Sequence, residues 1–295
     1  MKSVRIFFEC GICLLCMILP TTQAHGEDWP GQILRNLPAS TPPAKRPHKI
    51  LCLSSTWGYR HSSIPTGNAM IQILGQKTGL FSVDFSTHVQ DFSAEHLKPY
   101  DALVFNNTTH LDIGITDASL RNSIIQFVKN GGGLVCMHAA SSSGWEEYTT
   151  MIGGAFDGHP WTASGNWFVA NEDPQHPIVK NIYNGRGFRI NDELYQFKNF
   201  DRSAVRVLLA IDLQPPVNRI KNRKRSDDDY ALVWIKPFGR GRIFQCALGH
   251  HDHFYANPEF LKMWIQAFRY VLGELDVPEQ SLAKPRLTGS GRVAQ

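Results

Sequence analysis

The stretch Gly131-Gly132-Gly133-Leu134-Val135-Cys136-Met137-His138-Ala139-Ala140 constrains the fold more than any other part of the chain. Its glycines can adopt the positive φ angles that end a helix and turn the backbone, and the four apolar residues after them read as a short strand buried on both faces. A strand hidden on both faces belongs in a parallel sheet covered by helices. The strand stops at His138, and the small residues at 139–143 let the chain turn sharply at the carboxyl edge of the sheet, where open α/β folds place their ligands. This is the pattern of an elbow presenting one side chain, a serine or cysteine in many hydrolases. Here the presented residue is a histidine.

The neighbouring segments fit repeated β-loop-α units. Strands are predicted at 50–54, 81–85 and 102–105, the last ending in the polar run Asn106-Asn107-Thr108-Thr109. A helix begins at Ile64-Pro65, buries Met70, Ile73 and Leu74 and ends near Gly79; a second, over 116–130, has an apolar face of Leu120, Ile124, Phe127 and Val128, with Thr116 as N-cap. After the elbow come a short helix over 145–151, strands at 166–170, 188–190, 205–211 and 232–235, and a last buried strand at 241–247. A closing helix has Asn257 as N-cap, Pro258 at its first position and a stripe of Leu261, Trp264, Ile265, Phe268 and Leu272. These units predict an α/β fold, a doubly wound and mostly parallel sheet with helices on both faces.

Residues 1–24 read as a secretory signal: Lys2 and Arg5 precede an apolar run over 6–19, and Thr22-Gln23-Ala24 resembles a cleavage site. The run is too short for a transmembrane helix, so the mature chain is expected to be secreted or periplasmic with no stable membrane insertion. Residues 25–48, rich in proline, read as an extended leader, 49–273 as the domain and 274–295 as a flexible tail. Removing Lys2, Arg5 and Glu9 changes the formal net charge from +4 to +3, too little to imply a nucleic-acid partner. Lys221, Arg223, Lys224 and Arg225 are followed at once by Asp227, Asp228 and Asp229, the pattern of a self-neutralising solvated loop. Three of the six cysteines lie in the signal; Cys52, Cys136 and Cys246 sit in strands and read as core residues rather than a disulfide framework.

Chemistry-bearing side chains gather in the predicted loops: His61 after the first strand, His138 at the elbow, His159, Asp192 and Glu193, and His250 after the last strand. His138 and His250 follow buried strands directly and should face one crevice. A lone loop histidine is more often structural, and His176 before Pro177 reads as a turn cap. Two chemistries remain open. His61, His138, His250 and Glu193 could hold a divalent metal as a Lewis acid, or the imidazoles could transfer protons with Glu193 or Asp192 as partner. In His250-His251-Asp252-His253 adjacent histidines cannot all reach one ion, so only His250 is counted. Trp57, Tyr59, Trp145, Trp161, Tyr195 and Phe254 lie in or beside these loops, and flat rings flanked by polar groups suit a sugar. Trp57, Tyr59, Arg60, Trp145, His159, Asp192 and Tyr195 are the candidate substrate contacts.

Leu53 to His61 with Ser63-Ile64-Pro65, Tyr100-Asp101, the glycine run leading to His138-Ala139-Ala140, Gly153-Gly154 with Phe156 and Gly158-His159-Pro160, His176-Pro177, Asp192-Glu193-Leu194-Tyr195, and residues 239–242 leading to Leu248-Gly249-His250 occur in order over 49–273. Together they resemble the trehalose-utilisation (ThuA-like) family. The resemblance implies the flavodoxin-like fold of class I glutamine amidotransferases. In that larger fold the elbow bears a nucleophilic cysteine and a histidine follows the late strand; here the elbow carries His138, and Cys136 lies two residues early, inside the strand. An amidotransferase-like hydrolase is therefore disfavoured. The resemblance further implies carbohydrate use, with 3-keto-glycosides among the associated sugars. His251, His253 and the charged loop before Tyr230 depart from the family pattern and bear on substrate choice. Two functions follow as expectations: an exported enzyme acting on a disaccharide or glycoside by isomerisation, elimination or hydrolysis, or a non-catalytic sugar-binding domain.

Overall fold

A computed structural model describes residues 27–275 and residue 277. The expected signal over 1–24 and most of the expected tail lie outside the described residues. The strands are β1 (His48–Leu53), β2 (Phe81–Ser86), β3 (Ala102–Asn106), β4 (Gly133–Met137), β5 (Ala155–Phe156), β6 (Asn166–Asn171), β7 (Phe188–Asn191), β8 (Phe197–Lys198), β9 (Arg206–Ile211), β10 (Ala231–Phe238) and β11 (Gly241–Cys246). The α-helices are α1 (Trp29–Asn36), α2 (Ile64–Thr78), α3 (Ala94–Leu97), α4 (Leu111–Gly114), α5 (Ala118–Lys129), α6 (Glu146–Ile152), α7 (Asp252–Ala256) and α8 (Pro258–Val271).

Nine strands form one sheet in the order β2-β1-β3-β4-β11-β10-β9-β6-β7. The half from β2 to β11 is parallel, as the buried apolar runs predict, and β10, β9, β6 and β7 extend it antiparallel. β4 and β11 pair directly, so His138 and the loop bearing His250 leave neighbouring strands at the same edge. One hydrophobic layer, with Met70, Leu74, Phe260, Trp264 and Phe268, packs α2 and α8 on one face; another, with Leu120, Ile124, Tyr148 and Met151, packs α5 and α6 on the other.

The glycine run divides its work differently from the expectation. Only Gly131 has a positive φ, at 120°; Gly132 and Gly133 are required because a Cβ there would meet the Phe127 ring at 2.2 Å and the Val271 carbonyl at 2.6 Å. The N-cap of α5 is Asp117, which accepts from the Ser119 and Leu120 N–H groups, rather than Thr116. The charged loop neutralises itself through Arg223–Asp228 at 2.6 Å and Arg225–Asp227 at 2.5 Å, while Lys224 reaches Asp157 at 2.8 Å. No described helix is long and apolar enough to cross a membrane.

The leader is not wholly extended. Asp28 caps α1 by accepting from the Gly31 N–H, Pro30 sits in its first turn, and Ile33 is fully buried in the layer of α2 and α8. Proline in and around the segment masks this two-turn helix in the sequence. The segment after it is pinned by Arg269 donating to the Pro42 carbonyl at 2.8 Å and by the Lys45 N–H donating to Glu274 at 2.9 Å. Ile33→Ala is expected to cost about 2–4 kcal/mol in urea unfolding, because the cavity left behind adds to the lost transfer term. An unchanged midpoint would show that α1 is no part of the cooperative unit.

Candidate functional site

His138 directly follows β4 in the left-handed region, with φ 46°, which a non-glycine residue adopts only when its surroundings hold it there. Those surroundings are the neighbouring strand end. His138 Nδ1 lies 2.7 Å from the Ala247 carbonyl oxygen, which can only accept, so Nδ1 carries a proton and, in the neutral ring, Nε2 presents a lone pair. The Tyr195 hydroxyl lies 2.9 Å from that Nε2 and, with the ring in this form, donates to it.

Three other loops converge on this imidazole. His61, at the end of the loop after β1, packs its ring edge-on 4.7 Å from His138 and 5.1 Å from His250. Ser63 ties the two loops by donating to the Gly249 carbonyl at 3.0 Å. Gly249 itself has φ 122°, and a Cβ there would sit 2.4 Å from the Tyr255 hydroxyl, so only glycine lets the chain turn into His250. Glu193 follows β7, an edge strand at the far side of the sheet, and reaches the centre because the backbone after β7 folds back across the carboxyl edge. Asp192 holds that crossing. Its buried carboxylate accepts from the N–H groups of Gly249 at 2.7 Å, His250 at 3.0 Å and Glu193 at 2.9 Å.

Glu193 is the hub of the cluster. Its Oε1 lies 3.0 Å from His159 Nδ1, and its Oε2 lies 3.3 Å from His250 Nδ1 and 3.7 Å from His138 Nε2. The His250 contact is an ion-pair distance without hydrogen-bond alignment. Burial pushes the Glu193 carboxyl up, but the surrounding imidazoles outweigh burial and hold it well below the usual carboxylate range. Glu193 in turn raises His250 above the ordinary imidazole value against the opposing effect of burial. His61 moves the other way: burial, and then the neighbouring His138 and His250, push it down to about 3 and keep it neutral. One ligand-capable atom from each of His61, His138, Glu193 and His250 lies within 4.8 Å of the others.

His61, Glu193 and His250 line a cavity of about 610 Å³, and His138 lies fully buried behind them. Tyr59, 65% exposed, forms one wall edge-on to His61; Phe156, His159 and Tyr195 form another. Among the described residues, no lysine or arginine lines it. Of the expected substrate contacts, Tyr59, His159 and Tyr195 line the cavity, and Asp192 is instead the buried backbone clamp. Trp145 is buried against Tyr148 beneath the elbow, Trp57 packs on Gly114, and neither they nor Arg60 line the cavity, so these three expectations are corrected. Trp161 and Phe254 are core residues, the former donating to the Asn218 carbonyl at 3.0 Å. His176 accepts the Ile178 N–H at 3.3 Å, the turn-capping role expected of it. His251 bonds the Ala163 carbonyl at 2.9 Å and so ties down the loop bearing Thr162 and Ser164.

Thr109, His110, Ser142, Thr162 and Ser164 also line the cavity and were absent from the expected set. Thr109 closes the polar run after β3, so its strand-end position was a usable signal; Thr162 and Ser164 lie in a loop with no such marker. Cys136 does not substitute for an elbow nucleophile: it is buried beside the Tyr148 hydroxyl, and burial pushes its thiol up to about 12.

Residues 49–271 match the sequence profile of the ThuA family, described as trehalose utilisation. Among solved structures, the chain is similar to a putative ThuA-like protein from Bacteroides uniformis, with TM-score 0.63 and 24% identity over 78% of this chain and 94% of that one. It is also similar to a putative ThuA-like protein from Parabacteroides merdae, with TM-score 0.55 and 18% identity over 82% of this chain and 96% of that one. At these identities the likeness shows the shared fold. No curated protein matches the chain. The profile match spans most of the chain and includes every residue of the cluster, and on that ground the protein belongs to the trehalose-utilisation (ThuA-like) family, which implies a carbohydrate-related role.

Proposed function

We propose that the cleft is the active site of an enzyme acting on a neutral glycoside oxidised at a ring carbon, a keto-disaccharide or related keto-glycoside. The observation that carries this reading is the meeting of an ionised carboxylate, a neutral imidazole and a carboxylate-paired imidazole at the floor of one cavity. Groups whose environments push their proton affinities apart make an acid and a base available at one pH. A wall without lysine or arginine favours an uncharged ligand, and Tyr59 offers an exposed ring for a sugar face. In this reading Glu193 or His61 takes the proton from the carbon next to the ring ketone. His250 hands a proton to the departing glycosidic oxygen, giving elimination, or to the enolate at a new position, giving isomerisation. The secretory signal expected over 1–24 would place this activity outside the cytoplasm.

The test is direct. Purified protein is incubated with keto-trehalose, other keto-disaccharides and their unoxidised parents, and enone absorbance and released sugar are followed. Turnover confined to the keto forms is the expected result. Tight binding of an unmodified disaccharide with no turnover of any keto form would sink the reading and favour a sugar-binding domain.

A further inference from the structure

Three imidazoles rarely crowd together without something to share. The rings of His61, His138 and His250 stand 4.7 to 5.7 Å apart, and their ligand-capable atoms close to within 4.8 Å together with a Glu193 oxygen. Protonating all three would set like charges against one another, and leaving them neutral leaves lone pairs pointed inward. His61 Nδ1 and His250 Nδ1 are in fact buried without a hydrogen-bond partner. Buried polar atoms normally find a partner, and orphaned ones call for an account.

We infer that this cluster is a divalent transition-metal centre, with His61, His138, His250 and Glu193 as the ligands. The inference rests on the proposed function's choice of this cleft as the working site and revises its division of labour: with the ion bound, His61, His250 and Glu193 hold it instead of moving protons. Two features of the surrounding shell support it. A metal-binding histidine is normally held by a carbonyl or carboxylate on its other nitrogen, and the Ala247 carbonyl at 2.7 Å does this for His138, leaving Nε2 free to ligate. A ligating carboxylate is likewise held from outside, and His159 at 3.0 Å holds Glu193 Oε1 while Oε2 faces the imidazoles. The donor set also selects the ion. Nitrogen-rich sites suit zinc, manganese, iron or cobalt, whereas calcium and magnesium prefer oxygen donors throughout. When bound, such an ion polarises a substrate carbonyl. The chain's own part is to orient the ligands: Asp192 fixes the approach of the His250 and Glu193 backbones, and the Tyr195 hydroxyl, now on His138 Nε2, must give up that lone pair to the ion.

The experiment is metal analysis of purified protein prepared without chelator, followed by calorimetric titration of stripped protein with zinc and with manganese. The expected result is about one ion per folded chain, as for a site whose ligands are preassembled. His61→Ala and Glu193→Gln should abolish binding, and His159→Gln should weaken it about 10–100-fold as an outer-shell change. Tyr195→Phe should bind as tightly as the parent or more so, since it removes a competitor for His138 Nε2. His96→Ala, an exposed histidine on α3 away from the cavity, should bind unchanged. Circular dichroism separates loss of ligand from loss of fold. Cobalt substitution adds a second readout, an intense visible band from a low-coordinate nitrogen and oxygen site. No binding of either ion to the folded parent protein, or binding unchanged in both His61→Ala and Glu193→Gln, would overturn the centre. Undiminished keto-glycoside turnover by stripped protein would overturn the centre while leaving the proposed function standing; a bound ion with no turnover of any sugar would do the reverse.

Discussion

Replacing Glu193 with glutamine is expected to lower kcat/KM on a keto-glycoside by about 10²–10⁴-fold, the range for loss of a positioned acid–base group, in a protein that still folds. The change keeps the side-chain shape and removes the charge that organises the cluster. Glu193 touches His138, His159 and His250 at 3.0 to 3.7 Å, and it is what raises His250. Without the carboxylate there is neither a base at this position nor the partner that raises His250, so both halves of the proposed proton transfer are weakened together. Steady-state kinetics beside thermal melting of the same preparation makes the measurement. A loss of less than about tenfold in a fully folded variant would remove Glu193 from the chemistry, because positioned acid–base groups contribute far more.

Asp192→Ala is expected to act on stability instead. The carboxylate is buried and accepts three backbone N–H groups from two separate loops, at 2.7 to 3.0 Å. Hydrogen bonds to a charged acceptor contribute about 1.5–3 kcal/mol each and are not additive, so the expected loss is about 3–5 kcal/mol. That is a large part of the margin of an ordinary domain. Urea unfolding monitored by tryptophan fluorescence measures it. Asp192→Asn keeps the volume but turns amide hydrogens toward the same N–H donors, so it should recover only part of the loss. A change below about 1 kcal/mol in the alanine variant, the size of a surface substitution, would mean that the crossing after β7 is held by something else.

The parallel half of the sheet was legible because its strands are buried on both faces and write themselves as apolar runs between helical patterns, as at 102–105 and 133–137. Strand ends were legible for the same reason, and with them His61, His138 and His250. The helix α1 was not, since eight residues among prolines carry too little period to stand out, and Ile33 declares itself only by what it packs against. Nor were the aromatic contacts. Trp57, Tyr59 and Trp145 share one composition and one kind of loop, yet only Tyr59 reaches the cavity. Which face of a loop meets solvent is settled by the neighbours that cover the other face.

By itself, then, the order of residues determined the family, the α/β class, the elbow that offers a histidine in place of a nucleophilic cysteine, and the set of side chains from which a site could be built. Tertiary structure alone decided that Glu193, from an edge strand far across the sheet, lies beside His138 and His250, and that Asp192 is a clamp rather than a substrate contact. The reason is physical: strand and helix periods follow from contacts between near neighbours in the chain, whereas the environment of Glu193 depends on a crossing held by hydrogen bonds to residues 57 and 58 positions away. Its charge state, and those of the imidazoles around it, exist only once that crossing has closed.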